Sequence, residues 1–273
     1  MTSDTIRIAC AADRAFLRHV PVMLASLRAT TDAPLHVSVV GTDWRARDVE
    51  RLRKVAEGIE LDVLTLPAGL VAGLEFKTVL SPLSYARCVM ADLIYADRFL
   101  YFDVDMIVRS DVRELWALDI GDAPAAAVFH GDGRKLNAGL LLVNARVWRE
   151  RRLGQVLLEW ARLHRPKEAD QGAIEALIGS EMLRLDPRWN RLVDPIWGSK
   201  DALRDSAYLD GAKLLHFITG FKPWNLGALL LPRRYVREWR RHVRRTGLPT
   251  AWRQEARTAA WQSAILLRRA LRR

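Results

Sequence analysis

From Ile6 to Leu66 the chain switches repeatedly between two periods, and that alternation restricts its fold more than any other feature. IRIACA (Ile6 to Ala11), LHVSVV (Leu35 to Val40) and ELDVLTL (Glu60 to Leu66) are short apolar runs of the kind that strands require. Between them lie Phe16 to Arg28, with apolar residues at helical spacing, and a charged helical stretch around Arg45 to Ala56. A β-α-β-α-β order predicts a mainly parallel sheet covered by helices, because parallel strands need long crossovers. With 273 residues, half of them hydrophobic, the chain is long enough to bury the core of such a sheet.

SYARCVMADLIY (Ser84 to Tyr95) predicts a helix capped by Ser84, which delivers the chain to a strand at RFLYFDVD. Further strands are predicted at AAAVF (Ala125 to Phe129), GLLLVN (Gly139 to Asn144) and KLLHFI (Lys213 to Ile218). No repeat or low-complexity linker divides the chain, so residues 1–231 read as one α/β domain and 232–273 as a tail. Cys10 and Cys88 have neither zinc-type spacing nor the density of a disulfide framework, which predicts a reducing, cytoplasmic setting. Asp4 and Arg7 interrupt the apolar start, and no run reaches the ~20 apolar residues of a spanning helix.

Within the fourth strand, YFDVDMIV (Tyr101 to Val108) carries acids at i and i+2, which alternation would place on one face. Two carboxylates on a buried face repel each other and lose hydration, at several kcal/mol each unless a cation compensates. The economical place is the carboxyl end of the strand, where open parallel sheets bind ligands. Oxygen ligands there suit Mg²⁺ or Mn²⁺, and such ions carry phosphates. With 20 aspartates in the chain, D-x-D is expected by chance about 1.5 times, so the spacing alone is weak evidence.

Other segments surround it in a fixed order. They are AAD (Ala11 to Asp13), YAR (Tyr85 to Arg87), LNAGLLLVNARVWR (Leu136 to Arg149), ADQG (Ala169 to Gly172) and HFITGFKPW (His216 to Trp224). With YFDVDMIV, this set resembles the retaining glycosyltransferases of family 8, which include bacterial lipopolysaccharide galactosyl- and glucosyltransferases and glycogenin. The resemblance runs from about Ile6 to Trp224. It implies a GT-A fold, a Rossmann-like mixed, mainly parallel sheet flanked by helices. It also implies a UDP-galactose or UDP-glucose donor and Mn²⁺, with Mg²⁺ as the alternative.

Carried over by motif, the resemblance makes Asp103, Asp105 and His216 the metal ligands, with Val104 between the acids also at the donor. Read alone, His216 is an ordinary strand histidine. Lys222 and Gly220 would approach the diphosphate, Trp224 would pack the loop, and a solvated lysine is the plain alternative for Lys222. Arg87 would contact the donor rather than sit on a helix surface. Ala11 and Asp13 would line the nucleotide loop, and Phe16 would either stack on the base or join the core. Asn137 would bond sugar hydroxyls, with Ala138 and Gly139 small enough for close approach. Asn144 caps the helix beginning near Ala145. Asp170 would bind the sugar, or else cap its helix, and Gln171 would sit beside the anomeric carbon. An amide is a poor nucleophile, so the resemblance favours front-face displacement, with Gln171 stabilising positive charge.

Three departures limit the match. The glycine of the usual H-x-x-G-x-x-K-P-W falls one place late, at Gly220 after Thr219, and a common sugar-contacting acid is His130, with Asp132 two residues on. An asparagine used at the base is Ala15, beside Arg14. The short stretch from Phe129 to Asn137 predicts an open acceptor site.

The charge is confined to the tail. From Pro232 onward, thirteen arginines against Glu238 and Glu255 account for the whole net charge of +11. Ala251 to Arg273 projects as a helix with Trp252, Leu266 and Leu267 on one side and most arginines on the other, although Trp261 and Ile265 fall on the basic side. That pattern fits an anionic membrane surface, which predicts a peripheral protein of the inner cytoplasmic membrane with a lipid-linked saccharide acceptor. A solvated helix is the plain alternative, and no nucleic-acid module is present, so no nucleic acid is expected. Two function classes follow: a retaining hexosyltransferase, or a non-catalytic sugar-nucleotide or glycan-binding protein with a membrane-associating tail.

Overall fold

The computed structural model describes residues 5–74, 82–130, 133, 135–194, 206–218 and 220–247. Strands β1 (Ile6–Ala12), β2 (Leu35–Gly41) and β3 (Glu60–Thr65) alternate with helices α1 (Val20–Arg28) and α2 (Ala46–Val55). They are followed by α3 (Ala86–Leu93), β4 (Arg98–Phe102), β5 (Met106–Val108) and a short α4 (Arg113–Trp116). Next come β6 (Ala125–His130), β7 (Lys135–Asn144), α5 (Ala145–Glu150), α6 (Leu153–His164), α7 (Ala169–Ile178), β8 (Leu183–Arg184), β9 (Arg191–Leu192) and β10 (Leu214–His216).

Seven strands form the main sheet in the order β3-β2-β1-β4-β7-β6-β8. β3, β2, β1 and β4 are mutually parallel, while β7 runs antiparallel to both β4 and β6. This is the expected GT-A arrangement, a mixed, mainly parallel sheet between helical layers. Side chains of β1 alternate across it: Ile6, Ile8 and Cys10 join one core cluster with Val37, Leu100 and Phe102. Ala9 faces the opposite cluster with Tyr101, Val143 and Trp148. Burial on both faces explains the near-continuous apolar strands.

Several element boundaries differ from expectation. The helix predicted from Ser84 opens as a 3₁₀ turn, Pro82–Tyr85, and becomes α-helical at Ala86. Its N-cap is Tyr85, without a side-chain capping bond. The first helix likewise begins with a 3₁₀ turn, Leu17–His19, so Phe16 precedes it and is 40% exposed rather than core. Asn144 caps α5 as predicted, accepting from the Val147 amide at 3.2 Å.

A second, three-stranded sheet, β5-β10-β9, lies beyond the end of β4. Its core includes Ile107, Leu215 and Phe217, and it also takes in Tyr235, Val236 and Trp239. Those last three lie on the helix Arg233–Arg245, so the arginine-rich stretch is packed against the body along one side. The predicted helix Ala251–Arg273 lies outside the described residues, as does Thr219. Among the described residues no helix is long and apolar enough to cross a membrane.

Candidate active site

β4 ends at Phe102 and β5 starts at Met106, so Asp103, Val104 and Asp105 form the turn between the two sheets. The acids therefore leave the strand, as their charge requires. Register then holds each in place. The Asp103 amide donates to Gly139 O on β7 at 2.8 Å, and the Phe217 amide donates to Asp105 O at 3.0 Å. Antiparallel pairing of β5 with β10 sets His216 opposite Met106. One ligand atom from each of Asp103, Asp105 and His216 falls within 4.8 Å of the others.

Three observations show that these residues fit a divalent cation. His216 Nδ1 lies 3.0 Å from Asn190 Oδ1, which can only accept, so the ring's proton sits on Nδ1. Nε2 then turns its lone pair toward Asp105 Oδ1 at 3.2 Å and Asp103 Oδ2 at 3.6 Å. Asp105 Oδ1 is itself buried without a hydrogen bond. Facing lone pairs at that distance call for a positive charge between them. Gly139 supplies the space, since a Cβ there would lie 2.3 Å from His216 Cε1 and 2.8 Å from Asp103 Oδ2. Its small size serves this cradle, rather than only the substrate approach that the sequence suggested.

Lys222 is held, not solvated. Its Nζ donates to Asp105 Oδ2 and to the carbonyl of Phe217. Burial pushes the Asp105 carboxyl upward, but the Lys222 ammonium outweighs it and holds that group well below the usual carboxylate range.

Beside the acids runs a second charged chain. Arg87 Nη2 donates to Asp103 Oδ1 at 3.0 Å, its Nε pairs with Asp170 Oδ2 at 2.7 Å, and Tyr101 Oη donates to Asp103 Oδ1 at 2.6 Å. The Arg87 side chain is only 10% exposed, so it is a buried clamp rather than a helix-surface residue. Asp170 is not a cap. Glu168 takes that position, and Asp170 is buried in the first turn of α7. Burial raises its carboxyl to about 6, against the lowering effect of Arg87 and with a further upward push from Asp103. Gln171 Oε1 accepts from the Ala138 amide at 3.2 Å, which joins α7 to the LNAG strand.

Asn190 was not legible in the sequence as a site residue. It ends the 3₁₀ turn Pro187–Asn190, is fully buried, and donates from Nδ2 to Asn137 Oδ1 at 2.9 Å. Asn137 Oδ1 also accepts from the Gly139 amide at 3.0 Å. A lone asparagine in a short turn carries no periodic signal; the only hint was a polar residue following Trp189 in DPRWN.

Other predicted contacts are less direct. The Val104 side chain is in the core and Ala138 is fully buried, which leaves their backbones as the groups able to meet a donor. Asp13 Oδ1 accepts from the Phe16 amide at 2.8 Å, shaping the loop after β1, while Ala11 is the partly buried penultimate residue of that strand. Gly220 has open space around its Cα, and its carbonyl accepts from Asn225 Nδ2 at 3.0 Å. Phe16 meets Trp224 edge-on at 6.4 Å; Trp224 stacks on His19 at 3.8 Å and reaches Trp239 at 4.7 Å. Trp224 thus packs the Lys222 loop, as predicted, against Phe16 and His19 in the stretch after β1. His130 ends β6 with Nε2 buried and unbonded; burial, then His216 and Arg191, push its imidazole down to about 4.

A sequence model described as glycosyl transferase family 8 matches residues 7–227. Glycosyltransferase GlyD of Streptococcus pneumoniae serotype 4 is 29% identical over 80% of this chain, which spans 28% of GlyD. General stress protein A of Bacillus subtilis is 23% identical over 81% of this chain and 88% of its own length. The crystal structure of galactosyltransferase LgtC with donor and acceptor sugar analogs superposes with a TM-score of 0.74 at 21% identity. That superposition covers 92% of this chain and all of LgtC, a likeness of fold.

Proposed function

The chain belongs to glycosyl transferase family 8, and on that premise we propose that it moves galactose or glucose from a UDP-sugar to a saccharide acceptor with retention of configuration. The acceptor we assign is a lipopolysaccharide or other lipid-linked glycan. The observation that carries the reading is the cluster of Asp103, Asp105 and His216 with Lys222 bound to its edge. A metal bound there, Mn²⁺ by preference for a site containing imidazole, supplies charge neutralisation for the departing diphosphate.

The chain's own groups do the rest. Lys222 leaves Asp105 to meet a phosphate oxygen as a point charge. Arg87, fixed between Asp103 and Asp170, and the amide of Asn137 orient sugar hydroxyls. The acceptor hydroxyl attacks the anomeric carbon from the face that UDP leaves: its C–O bond forms as the sugar–UDP bond breaks, and its proton passes to the leaving UDP oxygen. Gln171 holds its carboxamide oxygen beside that carbon as positive charge develops.

Peripheral attachment at the inner face of the cytoplasmic membrane belongs to the same reading. The helix Arg233–Arg245 leaves Arg233, Arg237, Arg240, Arg241, Arg244 and Arg245 exposed, and the neighbouring Leu229 and Leu230 are 83% and 54% exposed. Anionic lipid suits such a surface. Truncation at Leu231 would strip Trp239 from the core, so the liposome test compares the full chain with one ending at Gly247 and with charge-reversed Arg237, Arg240 and Arg244. Equal pelleting of all three would remove the membrane from the proposal.

The direct test is UDP release from UDP-galactose and UDP-glucose, with and without Mn²⁺, in the presence of a lipooligosaccharide acceptor pool. We expect release with one donor and only with metal. No turnover with either donor would favour the sugar-nucleotide-binding alternative.

A further inference from the structure

We propose that Asn190 is a positioning residue that fixes the metal-facing edge of His216 and the sugar-facing edge of Asn137 together, so that metal and donor sugar are bound through one buried amide. The proposal rests on the metal reading of Asp103, Asp105 and His216. Asn190 is fully buried, and its two ends differ chemically. On one side Asn137 offers two acceptors, Oδ1 at 2.9 Å and the main-chain oxygen at 3.4 Å, so the NH₂ of Asn190 must face them. Its oxygen then faces His216 Nδ1 at 3.0 Å and accepts the ring proton. Nε2 is thereby left as the lone-pair atom directed at Asp103 and Asp105.

The same bond acts in the other direction. Asn137 Oδ1 takes Asn190 Nδ2 and the Gly139 amide, so it is committed inward and the Asn137 NH₂ is left as the donor for a sugar oxygen. Register makes Asn190 suited to this. It immediately precedes β9, whose Arg191 and Leu192 pair with Leu215 and His216, and its turn abuts the main sheet at β7. Outer partners of metal-bound imidazoles commonly set ring tautomer and orientation in this way.

Two substitutions separate the two arms. Asn190→Ala removes both, so Mn²⁺ affinity of the full chain, read by electron paramagnetic resonance, should weaken about 10- to 100-fold. Nitrogen-15 NMR of the metal-free protein should show His216 losing its single Nδ1–H tautomer. Asn190→Asp keeps an acceptor for His216 but offers Asn137 no donor. Its Mn²⁺ and metal-dependent UDP affinities should equal or exceed the parent's, while KM for the UDP-sugar rises roughly tenfold. Parent-like Mn²⁺ affinity in a folded Asn190→Ala, or equal loss of metal in both variants, would overturn the proposal. If Asn190→Ala does not fold, Asn190→Ser takes its place with the same expectations. If the parent itself binds no Mn²⁺, the metal reading fails, and the tautomer measurement still decides on Asn190: an unchanged His216 signal on substitution refutes it.

Discussion

Within the Asp103–Asp105–His216 cluster the buried atom left without a hydrogen bond is an acceptor, Asp105 Oδ1, whereas along β6 and β9 the corresponding atoms are nitrogens, His130 Nε2 and Arg191 Nε. The first end calls for a cation and the second for oxygen atoms. At the first, neighbours on three elements have already fixed the geometry: Lys222, Gly139 and Asn190 each close one side. At the second, Arg191 lies over the ring of Tyr208 at 4.3 Å and His130 is uncharged at neutral pH. The contrast separates an enclosed candidate cation cradle from a flank whose buried nitrogens lack hydrogen-bond partners. Unpaired groups of that kind discriminate strongly among substrates.

The largest effect should come from the cation-seeking end. Asp105→Asn is expected to lower metal-dependent UDP binding by more than about 100-fold in calorimetry, beyond the range usual for outer-partner changes. Unchanged binding would refute the ligand assignment. Gly139→Ala should come next, because its methyl would collide with His216 and Asp103; we expect about 1–3 kcal/mol of destabilisation and a loss of metal affinity. Gly69→Ala, with open space around it and no positive φ, is the control that should melt like the parent.

Asp170 gives a pH signature of intermediate size. Its carboxyl is raised to about 6 in the folded chain from an ordinary 3.8. Between those values the unfolded state has lost the proton and the folded state has not, so parent stability falls as pH rises and levels off above about 6. The melting temperature of Asp170→Asn should therefore gain on the parent's between pH 4 and 6 and stay level above that. In metal-free protein, sugar-nucleotide binding should weaken as pH falls through about 6, because the neutral acid loses its charge-assisted bonds. The smallest effect belongs to the oxygen-seeking flank. His130→Ala should change KM for the UDP-sugar by about tenfold or less and leave Mn²⁺-dependent UDP binding unaltered. An equal effect on UDP binding would collapse the distinction between the two ends.

Much of the framework was readable from periodicity, because β1 and β2 are buried on both faces and β1, β2 and β3 are interleaved with helices. The movement of Asp103 and Asp105 to a strand end followed from the cost of burying them. His216 needed the family resemblance, since β10 contributes only three residues and its partner β5 is distant in sequence. Asn190 was invisible because a buried polar residue in a single 3₁₀ turn leaves no pattern, and its worth depends on two contacts that only tertiary folding creates. The helix Arg233–Arg245 was read as tail for a related reason. Its charge dominates the composition, while the apolar stripe of Tyr235, Val236 and Trp239 is too narrow to stand out.

Lys222 and Asp105, joined side chain to side chain, are 117 positions apart in the chain. During synthesis at 5–20 residues per second, the interval between them is about 6–23 s. For that time Asp103 has Arg87 and Tyr101 beside it, but Asp105 lacks the lysine that pairs with it. The parallel half of the sheet therefore cannot seal its end as each strand leaves the ribosome; it has to wait for β10 and the loop after it. Such a chain matures as one late-closing unit, and a ribosome-stalled fragment ending before Leu214 should remain protease-sensitive at the Asp103–Asp105 turn however well β1 to β4 have already paired.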